Sequence, residues 1–386
     1  MQSCRFGIAV LVVIACGRVP TSLAAGFSFT RLGDLAGGVF ESMTFGLSSD
    51  GRVVVGASRS ARGVEAFRWT REGGMVAMGD LPGGTFESRA FACSSDGSVI
   101  VGSGRTQFGQ EACRWNAAGV VARVGPGDLP GGQTSGVAHG TSADGSVVVG
   151  QGTGTLGREA FRWSQADGMV GLGDLAGGTF DSTAFASSGD GSVVVGTGTG
   201  ASGREAFRWT AQTGLVGLGD LVGGGFRSAA VGVSRDGSTI VGNGTSNLGD
   251  EAMRWTEATG MVGLGDLAGG AFFSDAIAIS GDGRVIYGVS ETEAGLESFI
   301  WTEATGMMNL RQLLMQAGIT GLENWRFDQF HGALSHDGTV IAGFGRNPQG
   351  NLESFVITIP TSGTVWVAML GVAFASHRRR APDRCH

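Results

Sequence analysis

One element recurs through almost the whole chain: Ser, any residue, Asp, Gly, then usually a short run of Val or Ile. It closes on Asp50, Asp96, Asp144, Asp190, Asp236, Asp282 and Asp337, at steps of 46, 48, 46, 46, 46 and 55 residues. Trp69, Trp115, Trp163, Trp209, Trp255 and Trp301 keep the same beat. A fixed period of roughly 20–50 residues marks units that bury their apolar faces only against copies of themselves, which leaves solenoids and propellers.

Each unit divides into four short runs. In the fourth, residues 183–188 end in the Asp190-Gly191 turn, and Asp-Gly between apolar runs predicts a type I′ hairpin. Ser188 is placed to hydrogen-bond the turn backbone. Residues 192–196 are β-branched and unbroken, as in a strand covered on both faces. Glu205–Trp209 is the third run and 215–221 the fourth. Four antiparallel strands per unit is the content of a β-propeller blade.

Side-chain size orders the strands from the axis. Four residues before each Asp stand Gly46, Ala92, Gly140, Ala186, Gly232, Ala278 and Ala333, where converging blades leave little room. Phe and Trp fall on the third run, where neighbouring blades have diverged and the gap must be filled. The seventh unit lacks a fourth run, and residues 27–35, FSFTRLGDL, are a fourth run without a unit. The expected fold is therefore all-β: a seven-bladed β-propeller over residues 27–359, its N-terminal strand completing the last blade and removing the terminal edge. Leu310, Leu313 and Leu314 have helical spacing inside an insertion of about residues 310–330, which predicts a short helix on blade six. Two extra residues near Pro126-Gly127 account for the one long step within the regular series.

The combination LGDLxGG, a small-residue strand, SxDGxVVVG and Glu-Ala-Phe-x-Trp resembles the extracellular HAF-repeat family over about residues 27–359. The naming His-Ala-Phe triplet reads Glu-Ala-Phe at Glu65, Glu159 and Glu205. That resemblance implies a secreted, repeat-built protein and carries no activity with it.

The ends point to export. Arg5, the apolar run 7–15 and Ser22-Leu23-Ala24 have the order of a secretory leader over residues 1–25. Val13-Ile14-Ala15-Cys16 offers an alternative, lipoprotein-type processing before Cys16. After Pro360 an apolar stretch, Val365–Ala375, leads to Arg378-Arg379-Arg380; at about eleven residues it is short for a membrane span. This end resembles the PEP-CTERM class of bacterial sorting signals, with Ile359-Pro360-Thr361 where Pro-Glu-Pro is the pattern. Residues 360–386 are expected to sort the protein to the envelope or associate it with a membrane. Only Cys93 and Cys113 fall in the repeats, on the first and third strands of one unit; a strand between them keeps them about 10 Å apart, so buried free thiols are expected.

Composition excludes one partner class. The chain contains no lysine, its arginines are scattered through the units, and the net charge is −7, so it has no basic stripe for nucleic acid. The seven Asp residues are explained by their turns, and one Asp per turn does not converge the six or more oxygens that calcium takes. Glu65/Arg68, Glu111/Arg114, Glu159/Arg162, Glu205/Arg208 and Glu251/Arg254 form a ladder; three apart on a strand, each Arg should meet a carboxylate of the next blade or strand. Its functional alternative is an acidic ligand held in the channel. His139 reads as a core histidine. No catalytic set, metal site or cofactor loop emerges. The expected function is a monomeric binding or structural module for a protein or glycan at the envelope; the alternative is a glycan hydrolase or lyase. The second-to-third loops vary between units and share a face with the fourth-to-first connections, as on partner-binding propellers. The unrepeated polar residues Glu323, Asp328, His331 and His336 gather near the insertion and form the candidate binding patch.

Overall fold

The computed structural model describes residues 26–360 except residue 328; the expected leader, the Cys16 processing point and the segment 361–386 lie outside the described residues. Seven four-stranded antiparallel sheets close into a ring, forming a seven-bladed β-propeller. Blades I to VI occupy residues 37–77, 89–123, 137–171, 183–217, 229–263 and 274–309. Strands a to d run outward from the axis; in blade IV they are Thr183–Ser187, Val193–Gly200, Gly203–Thr210 and Gly214–Gly217. Blade VII takes a to c from residues 332–358 and its outer strand from Ser28–Gly33, paired Phe29 to Ile357 and Thr30 to Val356. The N-terminal closure expected from the leftover LGDL run is present.

The Asp-Gly turn differs from the type I′ expectation. Gly191 has φ +69° and, among the described residues, only glycines have positive φ, so Asp190 lacks the positive φ that type I′ requires. The Gly191 amide donates to the Ser188 carbonyl at 2.9 Å, giving a type I turn followed by a left-handed glycine. Ser188 Oγ donates to Asp190 Oδ1 (2.6 Å) and accepts from the Val193 amide (3.0 Å); Asp190 Oδ1 accepts from the Ser192 amide (3.0 Å). The same bonds recur around Asp50, Asp96, Asp144, Asp236 and Asp337. A Cβ on Gly191 would meet Val147 of the preceding blade at 2.6 Å, so glycine serves both the turn and the close approach of blades.

The turns also join each blade to the next. Backbone amides of Ser49, Ser95, Ala143, Gly189, Arg235, Asp282 and His336 donate to carbonyls of Ser95, Ala143, Gly189, Arg235, Gly281, His336 and Ser49 at 2.8–3.1 Å. The last bond returns to the first blade, so the hydrogen-bonded belt is closed.

Between blades the wedges fill with strand-c aromatics. Phe67, Phe161, Phe207, Phe299 and Phe355 are fully buried, as is Trp115. Blade VII has Ile357 where the other six have Trp, and the insertion supplies the missing ring. Trp325 lies 5.1 Å from Phe29 edge-on and stacks with Phe327 at 6.0 Å, while Phe327 meets Phe355 at 5.1 Å. The predicted helix is Leu310–Gln316, capped by Asn309, which accepts the Gln312 amide, and it buries Leu310, Leu313 and Leu314.

Candidate functional site

The inner strands carry a bulge that decides what the axis displays. In blades I to VI the a–b register slips between Thr44/Gly46, Ala90/Ala92, Ala138/Gly140, Ala184/Ala186, Ala230/Gly232 and Ala276/Ala278. The extra residues are Phe45, Phe91, His139, Phe185, Val231 and Ile277, and all six line an axial channel of about 440 Å³. A bulge re-aims a side chain away from the pleat, here towards the axis. The residues that follow are small for a lateral reason: a Cβ on Gly46 would come within 2.9 Å of the Phe91 carbonyl on the next inner strand. Blade VII has no such slip, and His331 completes the ring, edge-on to Phe45 at 5.3 Å and stacked on Phe344 at 6.4 Å. Phe91 stands 5.3 Å from Phe45 and 5.5 Å from His139, which stands 5.5 Å from Phe185. An aromatic arc thus covers the channel wall from blade VII to blade IV.

Three polar groups, His139, His331 and Asp275, break this apolar lining. His139 is not a satisfied core histidine: it lines the channel, and its Nε2 is buried without a hydrogen-bond partner. Burial pushes its pKa down to about 4, so the imidazole is neutral at pH 7. His331 is open to the channel yet crowded by protein, and desolvation lowers its pKa as well. Asp275, the second residue of strand a of blade VI, lines the channel and accepts from Asn243 Nδ2 at 3.0 Å. Burial pushes its carboxyl up to about 6. Asp275 stands where blades I to V carry Met43, Arg89, Val137, Thr183 and Ala229, so comparing the units column by column would have singled it out.

The far end of the channel is different. Below a layer of Leu47, Cys93, Thr141, Ser187, Val233, Ile279 and Leu334, the belt residues form a polar mouth of about 160 Å³. Arg235 Nη1 crosses from blade V to Ser95 Oγ of blade II at 3.1 Å, and Ser95 Oγ accepts from Ser49 Oγ at 2.8 Å. A Cβ on Gly189 would meet the Arg235 side chain at 2.5 Å, and one on Gly281 would collide with the His336 ring. Both bulky basic residues therefore depend on a glycine in the blade before them.

The candidate patch does not converge as the sequence placed it. His331 lies in the channel wall and His336 at the Arg235 mouth, with strand Gly332–Leu334 between them. Glu323 is exposed on a turn of the insertion, and Asp328 lies outside the described residues. The Glu–Arg ladder also differs from expectation, because its carboxylates serve the fold away from the axis. Glu159, Glu205 and Glu251 accept the amides of Gly173, Gly219 and Gly265 at 2.8–3.0 Å. Arg114 stands over the Trp163 ring of the next blade, 5.5 Å from its centroid. Arg162 reaches Asp167 of its own c–d hairpin and the Gly191 carbonyl of the next blade. Cys113 is buried and Cys93 partly open to the channel, both as free thiols, with burial pushing the Cys93 pKa up to about 12. Among the described residues no three His, Cys, Asp or Glu side chains converge as metal ligands, and no helix is long and apolar enough to cross a membrane.

No protein-family model matches the chain, and no curated protein matches it in sequence. Solved structures do. An oligogalacturonate lyase from Vibrio parahaemolyticus superposes with a TM-score of 0.54 at 11% identity, over 87% of this chain and 97% of that one. TolB from Acinetobacter baumannii gives 0.46 at 12% identity, over 78% of this chain and 79% of that one. An acylaminoacyl peptidase gives 0.47 at 9% identity, over 79% of this chain and 48% of that one. At such identities the likeness is one of fold.

Proposed function

We propose that the chain is an exported, envelope-associated binding propeller that holds its ligand in the axial channel. The observation that carries this is the bulge column. Around it the repeat keeps its turn Asp, its small residue and its wedge aromatic, while the column itself reads Phe, Phe, His, Phe, Val, Ile. A position re-aimed at the axis in six blades and free to vary is where a rigid scaffold individualises a site. The leader-like residues 1–25 and the resemblance of the repeats to extracellular HAF-repeat sequences support export. The C-terminal apolar and Arg segment supports retention at the envelope.

A second reading is a glycan hydrolase or lyase. It is favoured by Asp275, on the inner strand of blade VI, and His331, just before the inner strand of blade VII: both line one channel, the carboxyl with a raised pKa and the imidazole with a lowered one. One experiment separates the readings. The mature protein is incubated with envelope glycan fragments and cell-wall peptides, and binding is followed through the imidazole signals of His139 and His331 while products are sought by mass spectrometry. The binding reading expects shifts without products. Turnover that disappears in Asp275→Asn or His331→Ala would replace it with the enzyme.

A further inference from the structure

Asp275 is a part-buried carboxylate that lines the aromatic channel without a committed cation. Its hydrogen-bond partner is the neutral amide of Asn243. Arg227, whose charge reaches Asp275, is paired with Asp250. Arg89, at the corresponding position of blade II, turns to Glu87 with Nη1 to Oε1 at 2.6 Å. The two histidines in the wall are neutral at pH 7 and bring no competing positive charge. Around them stand Phe45, Phe91 and Phe185, and Phe330 guards the rim, 6.1 Å from Phe273. The bulky basic groups Arg235 and His336 lie at the other end, beyond the layer that includes Leu47, Thr141 and Ile279.

We propose that the channel is a site for an organic cation, an ammonium or guanidinium group carried on a slender apolar stem, with Asp275 as its counter-ion and the aromatic collar as its wall. The proposal rests on the channel being the binding site, as argued above, and adds the ligand class. Aromatic rings attract a cation through their quadrupoles, and the attraction grows where the cation is stripped of water. A carboxylate held in the same low-dielectric space adds a charge that water there cannot replace. An anionic ligand would meet Asp275 unpaired, so the site selects by sign as well as by shape.

The test uses choline, its neutral isostere 3,3-dimethylbutan-1-ol and the anion 3,3-dimethylbutanoate, titrated into the mature protein at pH 7.5 while the imidazole signals are followed by NMR. Choline should shift His139 and His331 but not His336, and bind about tenfold or more tightly than either comparison compound. Asp275→Asn should bring choline down to the alcohol's affinity and leave the alcohol unchanged. Phe91→Ala should weaken both. Melting curves establish that each variant is folded. If the alcohol binds in the channel as tightly as choline, or the carboxylate binds best, the cation inference is overturned and the channel reading stands. If no compound moves His139 or His331, or choline moves only His336, both are overturned.

Discussion

His139 occupies the bulge position that Phe45, Phe91 and Phe185 fill in blades I, II and IV, and it has their ring contacts without a partner for its Nε2. Such a histidine resists a proton in the folded chain that it accepts freely in the unfolded one. With a folded pKa of about 4 against an ordinary 6.5, its contribution is intact above about pH 6.5 and is lost as pH falls towards 4. The groups that act on it, Gln151, His331 and Arg158, do not reverse that sign, since burial is the largest cause. Asp275 acts oppositely: its raised carboxyl pKa favours the fold increasingly as pH falls through about 6 towards 4. Comparing His139→Phe with the parent isolates the histidine, because Asp275 is common to both. The variant should gain about 1–2 kcal/mol relative to the parent on going from pH 7 to pH 5, read from urea unfolding at the two values. An equal pH response in both chains would mean that the imidazole is hydrated or paired in solution.

At the scale of elements, the LGDL segment shows how far a repeat motif can be read. Its regularity predicts that residues 215–221 are a strand, but strand d stops at Gly217, and Asp220 beyond it gathers backbone amides of the loop and the next blade. Asp174 Oδ1 accepts from Leu175 (2.8 Å) and Thr199 (2.9 Å), and Oδ2 accepts from Asp181 (2.7 Å). Asp80, Asp128 and Asp220 make the same three bonds. Each needs a glycine on the facing strand b; a Cβ on Gly198 would meet Asp174 Oδ1 at 2.5 Å. In blades I and VI that glycine is Ser58 or Ser290, whose hydroxyl takes the Leu35 or Leu267 amide at 2.9 Å. Asp34 and Asp266 are thereby displaced, and burial raises their pKa. One motif letter therefore has two jobs, decided by a residue 24 positions later, as Asp174 to Gly198 and Asp266 to Ser290 show. Asp174→Ala should cost about 3 kcal/mol in urea unfolding, since three amides lose a charged acceptor, while Asp266→Ala should stay within about 0.5 kcal/mol. Equal costs for the two would refute the latch. The bulge was illegible for a related reason: it is a slip in pairing, and a single strand's sequence does not record its partner's register.

For the whole molecule, the blade count, strand order and closure were legible because they depend on arithmetic and size: seven turns, small residues where inner strands of neighbouring blades crowd one another, large ones in the wedges, and one spare outer strand. The closed belt of turn amides was not, because backbone bonds leave no side-chain signature. The ring's seam is where sequence and geometry meet, since every other blade is continuous chain and blade VII is held at its outer edge by the pairing of residues 28–33 with 354–358. Arg31 lies across that seam: Nη2 meets Glu353 Oε2 at 2.7 Å, Nε is 3.0 Å from both oxygens, and the guanidinium stands 5.7 Å from the Trp325 ring centroid. Glu353 is 2% exposed, so losing Arg31 leaves a buried carboxylate with Asn347 as its remaining side-chain donor. Arg31→Met should cost about 2 kcal/mol, and adding Glu353→Gln should recover most of it, since the penalty is an uncompensated charge rather than a lost contact. If the seam holds the ring shut, Arg31→Met should also speed proteolysis within residues 26–35 before the other blades are cut. A double variant no more stable than Arg31→Met, or cleavage that begins elsewhere, would show that the belt of turn amides and the Trp325 cluster close the propeller without the salt bridge.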